Sequence, residues 1–392
     1  MATMIKRPEH SPLGGSGAPR WMKCPSSVQL GYGIHDPESE YAELGTAAHA
    51  LAELCLKDSC DAWEFVGKGW GSQENIVSGE LEGIIDKDMA DAVQVYLNAV
   101  REHPDRNQAN FHVEHEFYCP DLHQYFWGKA DAVYIDENTL HVWDYKHGAG
   151  IVVDIKHNAQ LMYYACGILE DFCLWDEIRL VVMHVAQPRG FHFDGPLREW
   201  SMYVPDLEFW LDHDLLPAMD RALVSTETES GEHCRFCPAR GRACPQIIKD
   251  YEELEMLLTT KKSAKELTNN QVGRFLDLLD VAKIAGKAHN ETAFARLSAG
   301  KEIPGRKLGK ARANRHWKRN AEAALKKKFG EKAYTEPELK SPSKIEALPE
   351  GKKYTSRYAF KPDKGMTVLK ASDPRPATNV NLKSLFKARK KK

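Results

Sequence analysis

The chain has 392 residues, 42% of them hydrophobic, with 54 Lys+Arg against 56 Asp+Glu for a formal net charge of −2. That length allows about two or three domains, and the composition excludes a wholly disordered, collagen-like or fibrous chain. No run approaches the roughly 18 apolar residues of a membrane span and residues 1–20 lack the apolar stretch of a secretory signal, so a soluble, cytoplasmic protein with no membrane partner is expected.

The near-neutral total conceals a segregation of charge. Residues 301–392 hold 27 Lys+Arg and 9 Asp+Glu, which leaves 27 and 47 for residues 1–300. An acidic body with a basic arm suits contact with nucleic acid. Aromatic residues lie among the arm's charges (Trp317, Tyr354, Tyr358 and Phe360). Lys and Arg neutralise phosphates and rings stack on unpaired bases.

In chain order, residues 1–20 read as a flexible lead-in. Pro25 and Ser26 open a short helix after Cys24. GTAAHALAELCL predicts a helix over 45–56, and the apolar spacing of Met89, Val93, Tyr96, Leu97 and Val100 predicts another over 86–102. The period then falls to two. FHVEHEFY (111–118), YFWGKADAVYID (125–136, broken by Gly128) and TLHVWDYKH (139–147) read as an antiparallel meander. A helix over 155–169 leads to the apolar strand 177–186, so this last strand joins the sheet after a helical crossover, giving a compact α/β core. Residues 198–204 read as a further strand, 205–223 as one helix, 263–298 as one or two helices, and AEAALKKKF in the arm as a Lys-rich helix.

Asp131 lies in the second strand; Asp144 and Lys146 lie in the third as Asp-x-Lys, where residues two apart share a face. The intervening turn folds Asp131 back beside them. Two carboxylates and an ammonium on one side of a sheet suit a hard divalent cation such as Mg²⁺ and the hydrolysis of a phosphodiester. Gly128-Lys129-Ala130 leaves room for a substrate backbone. Gln160 and Tyr164 are four apart on the next helix and share its face. His49 stands upstream on a helix, with Glu53 four residues on.

Nine cysteines are present. Cys55, Cys166 and Cys173 sit in apolar contexts and read as small buried hydrophobes. Cys234, Cys237 and Cys244 fall within eleven residues of a polar loop, where thiols have no packing role.

Gly45-Thr46-x-x-His49, Gly128-x-x-Asp131, Asp144-Tyr145-Lys146 and Gln160-x-x-x-Tyr164 together resemble the PD-(D/E)XK nuclease superfamily, and within it the RecB-like, AddB-like iron–sulfur exonuclease branch, including its phage-associated members. The resemblance spans about residues 20–245. It implies a restriction-endonuclease-like core with a central mixed sheet flanked by helices. It further implies His49, Asp131, Asp144 and the Tyr145 carbonyl as ligands of Mg²⁺ or Mn²⁺, Lys146 as the catalytic lysine, and Gln160 and Tyr164 as the branch's additional motif. Glu114 or Glu116 stands ready as a further carboxylate. Cys24 with Cys234, Cys237 and Cys244 matches the branch's four-iron four-sulfur ligands, with tetrahedral zinc on the same thiolates as the alternative and His233 as a spare ligand.

The implied activity is a metal-dependent DNA exonuclease acting on single strands or duplex ends in phage recombination, replication or end processing, within the bacterial host cell. No Gly-x-x-x-x-Gly-Lys-Ser/Thr loop is present, so a separate helicase, or a single-strand-binding or annealing protein, is the expected partner. The competing expectation is a catalytically weak DNA-binding or complex-assembly subunit that keeps the fold and the staple. The expected organisation is a nuclease domain over 21–250, a helical segment over 251–300 and a basic region over 301–392.

Overall fold

The computed structural model describes residues 11–34, 40–70, 83–103, 110–241, 244–259, 264–298 and 301–305. The chain divides into two compact units, Met1–Arg315 and His316–Lys392. Every described residue belongs to the first unit; the basic arm and its expected helix lie outside the described residues.

Two short helices, α1 (Ala18–Trp21) and α2 (Ser27–Gly31), precede the long α3 (Glu40–Asp58). A two-stranded ribbon, β1 (Gly69–Trp70) with β2 (Gly83–Ile84), leads to α4 (Lys87–Arg101), whose N-cap Asp86 accepts from the Met89 amide. Then come β3 (Phe111–Tyr118), β4 (Trp127–Asp136) and β5 (Thr139–Tyr145), the crossover helix α5 (Ala159–Asp171), and β6 (Leu180–Ala186) with β7 (Leu197–Tyr203). The five strands form one sheet in the order β3-β4-β5-β6-β7. β5 and β6 run parallel and every other neighbouring pair is antiparallel. The meander and the helical crossover are therefore as expected, in an α/β fold with a mixed sheet flanked by helices.

Helices cover both faces. α3 and α4 bury Ala48, Leu51, Val93, Tyr96 and Leu97 against Ala132, Tyr134, Trp143 and Tyr145 on one side. On the other, α5 packs Leu161, Tyr163 and Ile168 against Val133, Leu140 and Val142. A sheet buried on both faces carries near-continuous apolar runs, and β5 is buried from Leu140 to Tyr145.

Several expectations need correcting. Residues 11–20 are not a lead-in: Leu13 is fully buried, and Gly15 sits so close to Tyr163 and Tyr164 that a Cβ there would lie 2.8 Å from the Tyr164 ring. Residues 1–10 lie outside the described residues. Gly128 neither breaks β4 nor clears space for a substrate. It pairs with Phe117, whose ring fills the place of the missing side chain at 2.8 Å. Helix α5 starts at Ala159, not 155, because Asn158 caps it by accepting from the Leu161 amide. The single helix expected over 205–223 is three pieces: α6 (Val204–Trp210), a π-helical turn (Leu211–Leu215) and α7 (Leu216–Val224). Pro217 has no N–H for the i−4 carbonyl, and π bulges absorb such a gap. Cys55 and Cys166 are buried as expected, but Cys173 is exposed, in a left-handed turn at φ 55° that ends α5.

Beyond the sheet, α8 (Pro245–Thr259) went unread in the sequence, while α9 (Asn269–Ser298) is one helix. Apolar packing runs across the expected border near 250. Ile247 of α8 and Val281 and Ala285 of α9 form one apolar cluster with Cys244, and a Cβ on Gly241 would meet the Ala288 methyl at 2.5 Å.

Phe117 is wedged between two glycines, since a Cβ on Gly167 of α5 would lie 2.2 Å from its ring. Gly167→Ala should therefore lower stability by about 1–3 kcal/mol despite the better helix former. Gly273→Ala in α9, with open space around it, should raise stability by about 0.5–1 kcal/mol. Urea melts of both variants check the contrast; stabilisation by both would refute the wedge.

Candidate functional site

The ladder between β4 and β5 runs from Asp136↔Thr139 to Ala132↔Trp143 and stops there. The next rung would pair Asp131 with Asp144. There the strands part, and Asp131 takes over a backbone role: its Oδ2 accepts from the Tyr145 amide at 2.7 Å. β5 continues against β6 instead, with Tyr145↔Ala186 as its last pair and the Lys146 amide donating to the Ala186 carbonyl at 2.8 Å. The opening thus lies at the C-terminal end of the two parallel strands, where ligands bind in α/β sheets.

The sequence-predicted residues gather at this opening. From α3, His49 Nε2 lies 3.5 Å from Asp131 Oδ2 while its Nδ1 meets the Gly45 carbonyl at 2.9 Å. That carbonyl accepts from Nδ1–H, which leaves Nε2 facing the carboxylate. Lys146 Nζ lies 2.9 Å from Asp144 Oδ1 and donates to Gln160 Oε1 at 3.0 Å. The Gln160 amide donates back to Asp144 Oδ1 at 3.1 Å and to the Tyr164 hydroxyl at 2.9 Å. Asp144, Lys146 and Gln160 therefore close a ring, with Tyr164 behind it on the same face of α5. Tyr145 contributes its amide to Asp131, and its ring packs edge-on to His49 at 5.3 Å.

The two first-strand glutamates stand differently. Glu114 stands directly across from Asp131, in a left-handed conformation at φ 54°, and pairs with Lys129 at 2.5 Å. Glu116 is exposed. Glu53 is drawn away by Lys57, four residues on, at 2.6 Å.

Burial and neighbours drive the charges apart. Burial opposes ionisation of both aspartates, but at Asp131 the His49 imidazolium and Lys146 prevail and hold its carboxyl below the usual range. At Asp144 burial, aided by Asp131, outweighs Lys146 and pushes the carboxyl up. Burial likewise pushes Glu114 up, with Asp131 adding to it against Lys129. Burial alone would depress His49; the Asp131 carboxylate overrides it and holds the imidazole at about 9. The site thus sets one carboxylate favoured as an anion beside two whose ionisation burial opposes, a strain that a divalent cation would relieve.

Sequence reading missed His147 and Arg189. Arg189 Nη1 meets His147 Nε2 at 2.7 Å, and His147 Nδ1 meets the Tyr145 hydroxyl at 2.8 Å. Burial, then Arg189, depresses the His147 imidazole to about 4. A neutral His147 that accepts at Nε2 must carry its proton on Nδ1. Lys146-His147 adjoining the Asp-x-Lys motif was the available signal.

A second constellation is built from cysteines. Cys24, Cys234, Cys237 and Cys244 line one cavity with Glu229, His233 and Arg240. All four cysteines are buried and free. The Glu229 amide points at Cys24 Sγ and the Gly231 amide at Cys234 Sγ, each at 3.5 Å. Burial pushes the thiols of Cys24 and Cys237 up and that of Cys234 to about 11. His233 gives its Nε2 to the Glu229 carbonyl at 2.9 Å. Four convergent buried sulfurs with amide donors can hold a soft metal, whose binding would release the thiol protons.

The raised pKa of His49 sets a pH dependence. Below the ordinary imidazole value of 6.5 its pairing with Asp131 stabilises the fold in full, and this is lost as pH rises through about 9. In chelator-treated protein, the melting temperature should fall between these pH values, and His49→Gln should flatten that slope. Parallel slopes for the two proteins would show that His49 is not held charged by Asp131.

No solved structure matches the chain. Over residues 10–376 the sequence matches the family described as "Protein of unknown function (DUF2800)", and the chain belongs to that family.

Proposed function

We propose that this protein is a divalent-metal-dependent DNA exonuclease of the PD-(D/E)XK type. The observation that carries the reading is the parted rung: two aspartates that would face each other across a ladder are freed beside one lysine at the open end of parallel strands. Hard oxygen donors with one imidazole fit Mg²⁺ or Mn²⁺ better than a soft metal. His49, Asp131, Asp144 and the Tyr145 carbonyl would hold it, with Glu114 beside them. A bound divalent ion would offset charge growing on a scissile phosphodiester and acidify water.

The chain's own residues would do the rest. Asp131, kept ionised by His49, supplies a fixed negative charge. Asp144 and Gln160 hold the Lys146 ammonium on two sides, so its remaining N–H can meet an attacking water or a phosphate oxygen. Tyr164 fixes the Gln160 amide, and with it the lysine's angle. DNA as substrate rests on the motif resemblance and on the basic arm, as does a role in phage recombination, replication or end processing alongside a helicase or a single-strand-binding protein.

The four cysteines fit a four-iron four-sulfur cluster. The backbone amides of Glu229 and Gly231 that point at the Cys24 and Cys234 sulfurs support this reading, since hydrogen bonds to sulfur tune such clusters; tetrahedral zinc on the same thiolates is the alternative.

Linear, end-labelled DNA should lose nucleotides only with Mg²⁺ or Mn²⁺, while covalently closed circles persist. Lys146→Ala and Asp144→Ala should each cost about 10²–10⁴-fold in rate with the fold retained by circular dichroism. Undiminished activity in both variants would overturn the assignment, and a wild type inert on every DNA form would favour a binding subunit.

Protein purified without oxygen should be brown and carry about four iron and four sulfide per chain. Cys24→Ser should lose the colour. A colourless, zinc-bearing wild type would replace the cluster with zinc.

A further inference from the structure

Three imidazoles from three different elements close on one another within the layer between α4 and the sheet. His103 follows α4, His141 lies in β5 and His184 in β6. One ring nitrogen of each falls within 4.8 Å of the other two. His141 and His184 are 3% and 2% exposed. Their rings lie within 15° of coplanar, and His141 Nδ1 meets His184 Nε2 at 3.0 Å. A hydrogen bond between two imidazoles requires a neutral acceptor nitrogen, and neutral imidazole is the form that binds metal. His103 stands edge-on to both, at 62° to His141 and 77° to His184.

The surroundings hold these rings in place. Trp143 stacks on His184 at 4.1 Å and 7°, and Tyr134 stacks on His141 at 4.3 Å and 14°. The far nitrogen of His184, Nδ1, looks toward the Glu199 carboxylate of β7 at 3.8 Å. That distance is an ion-pair separation rather than a hydrogen bond, but it is the placement that orients metal-bound histidines: one nitrogen inward, the other toward a carboxylate.

We propose that His103, His141 and His184 bind a borderline divalent transition ion of the Zn²⁺ class, through His141 Nδ1, His184 Nε2 and one nitrogen of His103. On binding, the donor ring of the His141–His184 pair shifts its proton to its other nitrogen, so both rings stay neutral, and the ion takes the place between them. An all-imidazole set suits Zn²⁺, Ni²⁺ or Cu²⁺ and disfavours Mg²⁺ and Ca²⁺, which take oxygen. The site is distinct from the two already described. His141 precedes Asp144 by three residues on β5, about 10 Å along the strand, and no cysteine belongs to it. Its ion would pin the end of α4 to the middle of the sheet. The competing account is an aromatic core cluster joined by one hydrogen bond.

Zinc uptake by the full-length protein decides between them. Wild type and His103→Phe, which keeps a ring in the packing position and removes the nitrogens, are dialysed against Zn²⁺ with Mg²⁺ in excess. Zinc held on the cysteines is common to both samples. The wild type should retain one zinc per chain more than the variant, and Zn²⁺ should raise the melting temperature of the wild type by more than that of the variant. Zinc-edge X-ray absorption of the wild type should show imidazole scattering, a readout that needs no variant to fold. Glu199→Gln, at an exposed position, should weaken zinc binding by about ten-fold or more. Equal zinc content and equal thermal response in wild type and His103→Phe, or a wild-type zinc shell of sulfur alone, would overturn the proposal.

Discussion

The described unit is organised around one unmade rung of a β ladder. Past Ala132↔Trp143 the backbone of β4 stops pairing with β5, and a buried N–H at Tyr145 would be stranded. An unsatisfied buried donor costs about 1–3 kcal/mol. Asp131 removes that penalty by accepting from it with a side-chain oxygen. One carboxylate therefore caps the ladder and sets the floor of the site. The parting exposes the Asp144–Lys146–Gln160 ring without leaving either strand's backbone unsatisfied, because β5 passes its remaining bonds to β6.

The same arrangement explains why two aspartates of one rung behave differently. Asp131 has two cationic neighbours and a backbone donor; Asp144 has Lys146 but also Asp131 across the gap. Two like charges at this spacing in a partly buried setting cannot both ionise freely. The neighbours favour the ionised form at Asp131 and oppose it at Asp144. Glu114, on the neighbouring strand β3, is pushed up by burial and by Asp131 in the same way as Asp144.

How much of this was legible in the sequence depended on whether the signal was local. β3 was readable to the residue because FHVEHEFY alternates cleanly. Asp131, Asp144 and Lys146 were readable as neighbours because strand period and a short turn fix them. Gln160 and Tyr164 were readable as one helical face, though α5 begins four residues later than its apolar residues suggest, since the Asn158 cap outweighs Ile155. Gly128 was misread: its small size serves Phe117, a packing partner eleven residues upstream on another strand. The histidine trio had no spacing to reveal it, since positions 103, 141 and 184 meet only through the β5–β6 pairing and the end of α4. Glu114 and Glu116 could not be told apart by alternation, because residues two apart share a strand face; the left-handed kink at Glu114 is what sets them apart in the structure.

The four-cysteine cavity and the Asp144–Lys146–Gln160 ring are joined by packing as well as by sequence. Cys24 follows α1, where Trp21 is fully buried and donates from its indole to the Gly14 carbonyl at 3.2 Å. Gly15 rests against the Tyr163 and Tyr164 rings, too close for any side chain of its own. Tyr164 in turn holds Gln160, and Gln160 holds Lys146. The segment that carries the first sulfur thus forms the back wall of the tyrosine that orients the lysine. On the cavity side, Arg20 reaches the Phe236 carbonyl at 2.9 Å beside Cys237, so the same ten residues touch both constellations. A soft metal on the cysteines would therefore do more than shorten the unfolded chain. It would fix the wall on which the hydrogen-bonded chain Tyr164–Gln160–Lys146 is built.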